Sequence, residues 1–226
     1  MGYYLEAFEW SDFYYVAFLL LAYSVAFLLF RVSFLYQKFL CLSKSKRFYI
    51  TLFLVTTSAV VLVYFNFLIG KEFFVYSDMG SDTRETYLPF YINVVENIKA
   101  GQFGFWNFDA GLGLNTFALQ LYLCDPFAFL IIIPGGLLLG VAALPFLLLV
   151  CQILKIYLCV FFCNKVLTYF NIGDSGRMLA SVIYGFNGFL MLWGSHYWFG
   201  TASVFLIVLL FVIEKEIHKP SPKSAI

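Results

Sequence analysis

The side chains of this 226-residue chain best suited to chemistry are carboxylates gathered between residues 70 and 126. Asp78 and Asp82 stand four apart around a glycine in Tyr76-Ser77-Asp78-Met79-Gly80-Ser81-Asp82-Thr83. Asp109 lies within Trp106-Asn107-Phe108-Asp109-Ala110-Gly111-Leu112-Gly113-Leu114-Asn115, and Asp125 precedes Pro126. A loop carboxylate can serve as a general base. Each also has a structural reading: Asp82 with Glu85 fits a capping pair, Asp109 before Ala-Gly a turn, and Asp125 before Pro126 an N-cap. Spacing alone leaves these alternatives open. The Gly111-Leu112-Gly113-Leu114-Asn115 piece is no dinucleotide fingerprint, which needs a preceding strand and a β-α-β unit. It reads as a tight turn.

The elements that must position these residues follow from composition. The chain is 62% apolar and 22% aromatic with 12% charged residues, and its mean hydropathy is +0.88. Soluble domains carry roughly 25% charge, and one core of this size cannot hide so much apolar surface. A soluble enzyme, a disulfide-rich secreted module and a disordered linker are excluded. So is a nucleic-acid binder driven by excess positive charge, because the net charge is +1. The fold class is all-α, a single polytopic membrane domain over 1–226. Cys151, Cys159 and Cys163 sit at helical spacing in an apolar run and read as small hydrophobes. The acidic N-terminus (Glu6, Glu9, Asp12) lacks a basic n-region, so the apolar stretch after it reads as a retained span.

A helix crosses the hydrocarbon core in about 20 residues. That length predicts about five spans, near 13–30, 49–69, 139–163, 178–193 and 197–213. Residues 127–134 are apolar but too short and read as a re-entrant or interfacial piece. Ten basic residues fall on one side: Arg31, Lys38, Lys44, Lys46, Arg47, Lys165, Arg177, Lys215, Lys219 and Lys223. Only Lys71, Arg84 and Lys99 fall on the other, all within 70–126, a segment that also holds seven of the thirteen acidic residues. By the positive-inside rule the N-terminus and the 70–126 loop are outside and the C-terminus is cytoplasmic. Lys155 lies within the third span, about 12 Å from its cytoplasmic end at 1.5 Å per residue, and reads as a snorkelling lysine.

Within the outer loop, Tyr87, Phe90/Tyr91, Val94/Val95 and Ile98 recur at helical spacing, with Glu85, Asn93, Glu96, Asn97 and Lys99 on the other side. The pattern predicts an amphipathic helix of about a dozen residues. It ends at Ala100-Gly101 and lies along the outer membrane surface. Pro89 argues that its regular part begins nearer Thr86.

The order of these pieces resembles the YfhO family of bacterial membrane proteins. They are Ser-Asp-Thr-x-x-x-Tyr-Leu-Pro-Phe (81–90), the helix ending in glycine, Trp-x-x-x-x-Gly-Leu-Gly-x-Asn (106–115) and Asp-Pro-Phe (125–127). The resemblance runs from about Val75 to Lys165 and on through Tyr184-Gly185-Phe186-Asn187-Gly188. It implies a GT-C-class glycosyltransferase in the bacterial plasma membrane. Such an enzyme moves a sugar from a polyprenyl-phosphate donor to an envelope polymer acceptor on the outer face. Asp82 is the implied catalytic base, with Asp78 second. Arg84, Tyr87, Asn115, Asp125 and His196 (in the turn Gly194-Ser195-His196-Tyr197) are the implied substrate-binding residues. Some GT-C enzymes also use a divalent metal held by loop carboxylates, and the Asp78/Asp82 pair would permit one. Family members are generally several times longer, so the resemblance implies an N-terminal portion or a truncated member, active or not. Two alternatives stand beside it. One is a non-catalytic membrane assembly subunit, favoured by the short length. The other is a transporter or flippase component, for which the spans offer Lys155 and no inverted repeat.

Overall fold

In the computed structural model, the described residues are 24, 34–75, 82–104, 106–107, 113–115, 125–192 and 196–218. The first expected span, apart from Ser24, lies outside them, as do Asp78 and Asp109. The chain divides into two compact units, 1–65 and 66–226.

The first unit holds α1 (Phe34–Leu40) and most of α2 (Lys44–Leu68). Ser43 opens α2, its Oγ accepting the Lys46 amide at 3.4 Å. Phe48, Leu52, Thr56, Val60 and Tyr64 recur every fourth residue and form one buried stripe. Four hydroxyl residues of this apolar helix are satisfied within it. Thr51, Thr56, Thr57 and Ser58 donate their hydroxyls to the carbonyls four residues back, at 2.6–2.9 Å. Tyr64 departs from helical backbone geometry (φ −107°, ψ 17°).

In the second unit, residues Asp82–Tyr87 form a π-helical turn that runs into α3, Leu88–Lys99. The widened turn has a local reason. Pro89 has no N–H to give the carbonyl four residues back, and the chain ahead of it adopts the wider i→i+5 register. The same happens at Pro134, where a π-helical Ala128–Ile132 precedes α4, Ile133–Leu139. Helix α3 ends as expected at Ala100-Gly101. The Gly101 amide bonds the Ile98 carbonyl at 3.1 Å and the Gln102 amide bonds the Asn97 carbonyl at 2.8 Å. Gly101 takes φ +68°, the left-handed stop of a Schellman motif. The apolar face of α3 meets protein rather than lipid. Tyr91, Val94 and Val95 are fully buried, and Gly136 of α4 lets Val95 approach so closely that a Cβ there would lie 2.8 Å from it.

After a 3₁₀ turn, α5 (Leu144–Tyr169) forms the centre of this unit, with α6 (Asp174–Gly185), α7 (Gly188–Leu192) and α8 (Tyr197–His218) following. Helix α6 runs antiparallel to α5: Arg177 bonds Thr168 at one end, and Gly185 packs on Ile156 and Val160 at the other. Helix α8 then runs parallel to α5, with Lys155 meeting Tyr197 and Tyr169 stacking on His218. Helices α6 and α7 therefore lie on the return traverse. The fourth expected span covers this stretch, but as two pieces of 12 and 5 residues broken at Phe186-Asn187. The Asn187 side chain holds the break, donating to the Tyr184 carbonyl at 2.6 Å and accepting the Leu190 amide at 2.9 Å.

Among the described residues, three helical stretches are long and apolar enough to cross a membrane: Lys44–Leu68, Val141–Tyr169 and Tyr197–His218. The apolar Ala128–Leu139 is shorter, in keeping with its reading as something less than a crossing. The extended pairing among the described residues is a two-residue antiparallel ladder, β1 (Trp106–Asn107) with β2 (Leu114–Asn115). Gly113, at φ +103°, lies against the Trp106 indole where a Cβ would clash. The turn expected over 111–115 lies partly outside the described residues, which begin again at Gly113. The protein is an all-α membrane protein.

Candidate functional site

Two polar clusters flank the start of α8. The first reaches solvent at Asp82, with Tyr87 buried behind it. Asp82 opens the π-helical turn and Tyr87 closes it, so both side chains are set by the turn forced on the chain ahead of Pro89. His196 directly precedes α8. Its Nδ1 lies 3.0 Å from the Tyr87 hydroxyl and 3.4 Å from Asp82 Oδ2. The Trp198 indole N–H donates to the Tyr87 oxygen at 2.9 Å, which leaves the phenolic proton for another acceptor. With Nδ1 unprotonated, Tyr87 donates to it; with Nδ1 protonated, the ring can donate to the carboxylate. The Asp82 side chain is 46% exposed and that of His196 18%, so the carboxylate is open to solvent while the imidazole behind it is sheltered. The Tyr87 ring packs edge-on against His196 and Tyr197, centroids 5.9 and 5.5 Å away.

The second cluster is closed. Asp125 caps the helical segment that follows it, Oδ1 accepting the Phe127 amide at 2.9 Å. Its Oδ2 accepts the Thr201 hydroxyl at 2.8 Å and lies 3.6 Å from Lys155 Nζ. Lys155 also donates to the Tyr197 carbonyl, and its ammonium sits 4.8 Å from the Phe127 ring centroid. Both charged side chains are 2% exposed. Lys155 therefore does not snorkel, because its ammonium finds a carboxylate, a carbonyl and a ring inside the protein. Nearby, burial pushes the Tyr91 phenol well above its ordinary pKa, and the Asp125 carboxylate adds to the rise. Tyr91 stays a neutral packing residue.

Of the residues singled out from sequence, the structure brings Asp82, Tyr87 and His196 together across 109 residues of chain. Asp125 sits in the buried cluster with both oxygens engaged. Arg84 is exposed on the turn that carries Asp82, and Asn115 is exposed on the ladder opposite Trp106. Sequence reasoning missed Trp198 and Thr201, and it misassigned Lys155. One signal was available for the last: a cation deep in a span needs a counter-charge, and Asp125 stands beside an apolar run. No group of three or more His, Cys, Asp and Glu side chains that could hold a metal exists among the described residues. These residues alone do not make a metal centre.

The sequence model of the family described as bacterial membrane protein YfhO matches residues 51–214. The chain belongs to this family. No curated protein and no solved structure gives a match. The match takes in Asp82, Tyr87, Asp125, Lys155, His196 and Thr201, so both clusters lie inside the YfhO-family region.

Proposed function

We infer that this YfhO-family protein works as a GT-C-type glycosyltransferase. In this reading it lies in the bacterial plasma membrane with the 70–126 segment and the start of α8 on the outer face. The charge distribution supports that orientation: basic residues gather at the start of α2, the end of α5 and the end of α8. The observation that carries the function is the exposed Asp82 carboxylate, backed by His196 and Tyr87 beside the start of α8.

A sugar carried on a polyprenyl phosphate keeps its tail in the bilayer and presents its anomeric carbon to Asp82. The acceptor hydroxyl attacks this carbon as Asp82 takes its proton. The new bond joins acceptor oxygen to C1, and the C1–O bond to phosphate breaks with its electron pair on the lipid phosphate. That leaving group needs positive charge or N–H donors rather than a proton, and Arg84 and His196 supply them from the turn and the α8 start. Asn115 contacts the sugar or acceptor, the buried Tyr87 backs His196 rather than touching them, and Asp78 is the second candidate base.

Replacing Asp82 by Asn tests the reading. Transfer of sugar from a polyprenyl-phosphate donor to envelope polymer should be lost while membrane insertion is unchanged. Undiminished transfer overturns it and favours the assembly-subunit alternative.

A further inference from the structure

The buried cluster and the exposed one share a single segment of chain, residues 196–201. His196 and Trp198 face Tyr87. The carbonyl of Tyr197, between them, accepts from Lys155, and Thr201, one turn on, is bonded to Asp125. The Tyr197 hydroxyl fastens the same segment to the Phe74 carbonyl at 3.0 Å, and Gly200 lets the Lys155 stem pass, with room for no more than a tight Cβ contact at 3.2 Å. A free helix N-terminus would have its first turn loosely held. Here a charged pair sequestered from water fastens that turn from behind.

We propose that Asp125 and Lys155 are positioning residues: together they form a buried clamp that sets the start of α8 and so holds His196 and Trp198 in register with Tyr87 and Asp82. This rests on the transfer reading above for its catalytic consequence, while the geometric part stands without it. Asp125 is thereby reassigned from a substrate contact to the clamp. Its oxygens already accept from Phe127 and Thr201 and face Lys155. A displacement of about 1 Å in a reacting group can cost about 100-fold in rate, so a clamp of this kind affects turnover without touching substrate.

The test uses the full chain in proteoliposomes, comparing the wild type with the double variant Asp125→Asn/Lys155→Met. Removing both charges avoids stranding one of them, so the double variant should fold. The introduced asparagine can still accept the Phe127 amide on Oδ1 and can donate from Nδ2 to the Thr201 hydroxyl oxygen, reversing that bond, while the ion pair, the Lys155–Tyr197 bond and the ammonium–Phe127 contact are lost. Two quantities are read. One is kcat and KM for transfer from a polyprenyl-phosphate sugar. The other is alkylation of a cysteine at position 196 (His196→Cys) by a membrane-impermeant maleimide, located by peptide mass mapping with and without the clamp. The clamp predicts kcat lowered about 10- to 100-fold with KM nearly unchanged. It also predicts that the cysteine reacts at least about threefold faster once its segment is released. Wild-type kcat in the double variant, or an unmoved alkylation rate, overturns the proposal. If the wild type transfers no sugar, the glycosyltransferase reading fails, and the alkylation arm still decides the clamp.

Discussion

Asp82 and Asp125 are the same residue type, each set near the start of a helical segment and each within reach of a basic side chain. Asp82 is half-exposed and 3.4 Å from an imidazole that is a cation only when protonated. Asp125 is buried 3.6 Å from an ammonium, with a backbone amide and a hydroxyl on its oxygens. A carboxylate with spare lone pairs and access to solvent can accept a proton from a substrate. One whose oxygens are already engaged inside the protein can only hold things in place. Burial and hydrogen-bond occupancy, not residue identity, separate the two roles.

The largest expected effects come from removing each charge in turn, and they should be opposite in kind. Asp82→Asn should lower transfer by about 100- to 10,000-fold, the range for loss of a general base, with no change in thermal stability in detergent. Asp125→Asn alone leaves the Lys155 ammonium unpaired in a buried site and should destabilise by about 3–5 kcal/mol. Thermal unfolding followed by circular dichroism, alongside the transfer assay, reads both. A stable Asp125→Asn protein whose defect lies mainly in KM would put Asp125 back among the substrate contacts.

A smaller effect belongs to Tyr87→Phe. It deletes the oxygen that receives Trp198 and meets His196 while leaving the ring in place. Two hydrogen bonds of about 1 kcal/mol each correspond to a loss of up to about 30-fold in kcat. The buried side has its counterpart in Gly136→Ala, where the new methyl meets Val95 at 2.8 Å and Leu144 at 2.9 Å. Overpacking of this kind costs about 1–3 kcal/mol, and it should appear as a lower unfolding temperature with kcat held near wild type.

The helical fold was legible because its signals are local. Helix α3 follows from the spacing of Tyr91, Val94 and Val95 and from the Ala100-Gly101 stop, and the spans follow from hydropathy and length. What covers the α3 face was not legible. Periodicity says that a face is apolar but not whether lipid or another helix, here α4 carrying Gly136, will meet it. The π-helical turns were hidden for a related reason: Pro89 and Pro134 mark a disturbed hydrogen-bond ladder without saying how the chain resolves it. In the candidate site, Asp82 and Tyr87 are close in sequence and were found together. Their meeting with His196 depends on the return traverse of α6 and α7. Lys155 was misread because a lysine in an apolar helix looks the same in sequence whether its partner is water at the interface or Asp125 brought in from 30 residues away.

The smallest expected effect checks how local the exposed cluster is. Gly101 terminates α3 at φ +68° with open space where a Cβ would go, so Gly101→Ala costs only the backbone penalty of a left-handed residue, about 1–2 kcal/mol. Asn tolerates that conformation better, and Gly101→Asn should cost less than Ala. Asp82 and Tyr87 lie at the opposite end of the same helix, where the π-helical turn, the His196 contact and the Trp198 bond fix them independently. Fraying the last turn of α3 should therefore lower the unfolding temperature slightly and leave kcat for transfer unchanged. A fall in kcat that tracks the stability loss from Asn to Ala would mean that Asp82 is held by α3 as a whole. The α8 start would then be a lesser part of what positions it.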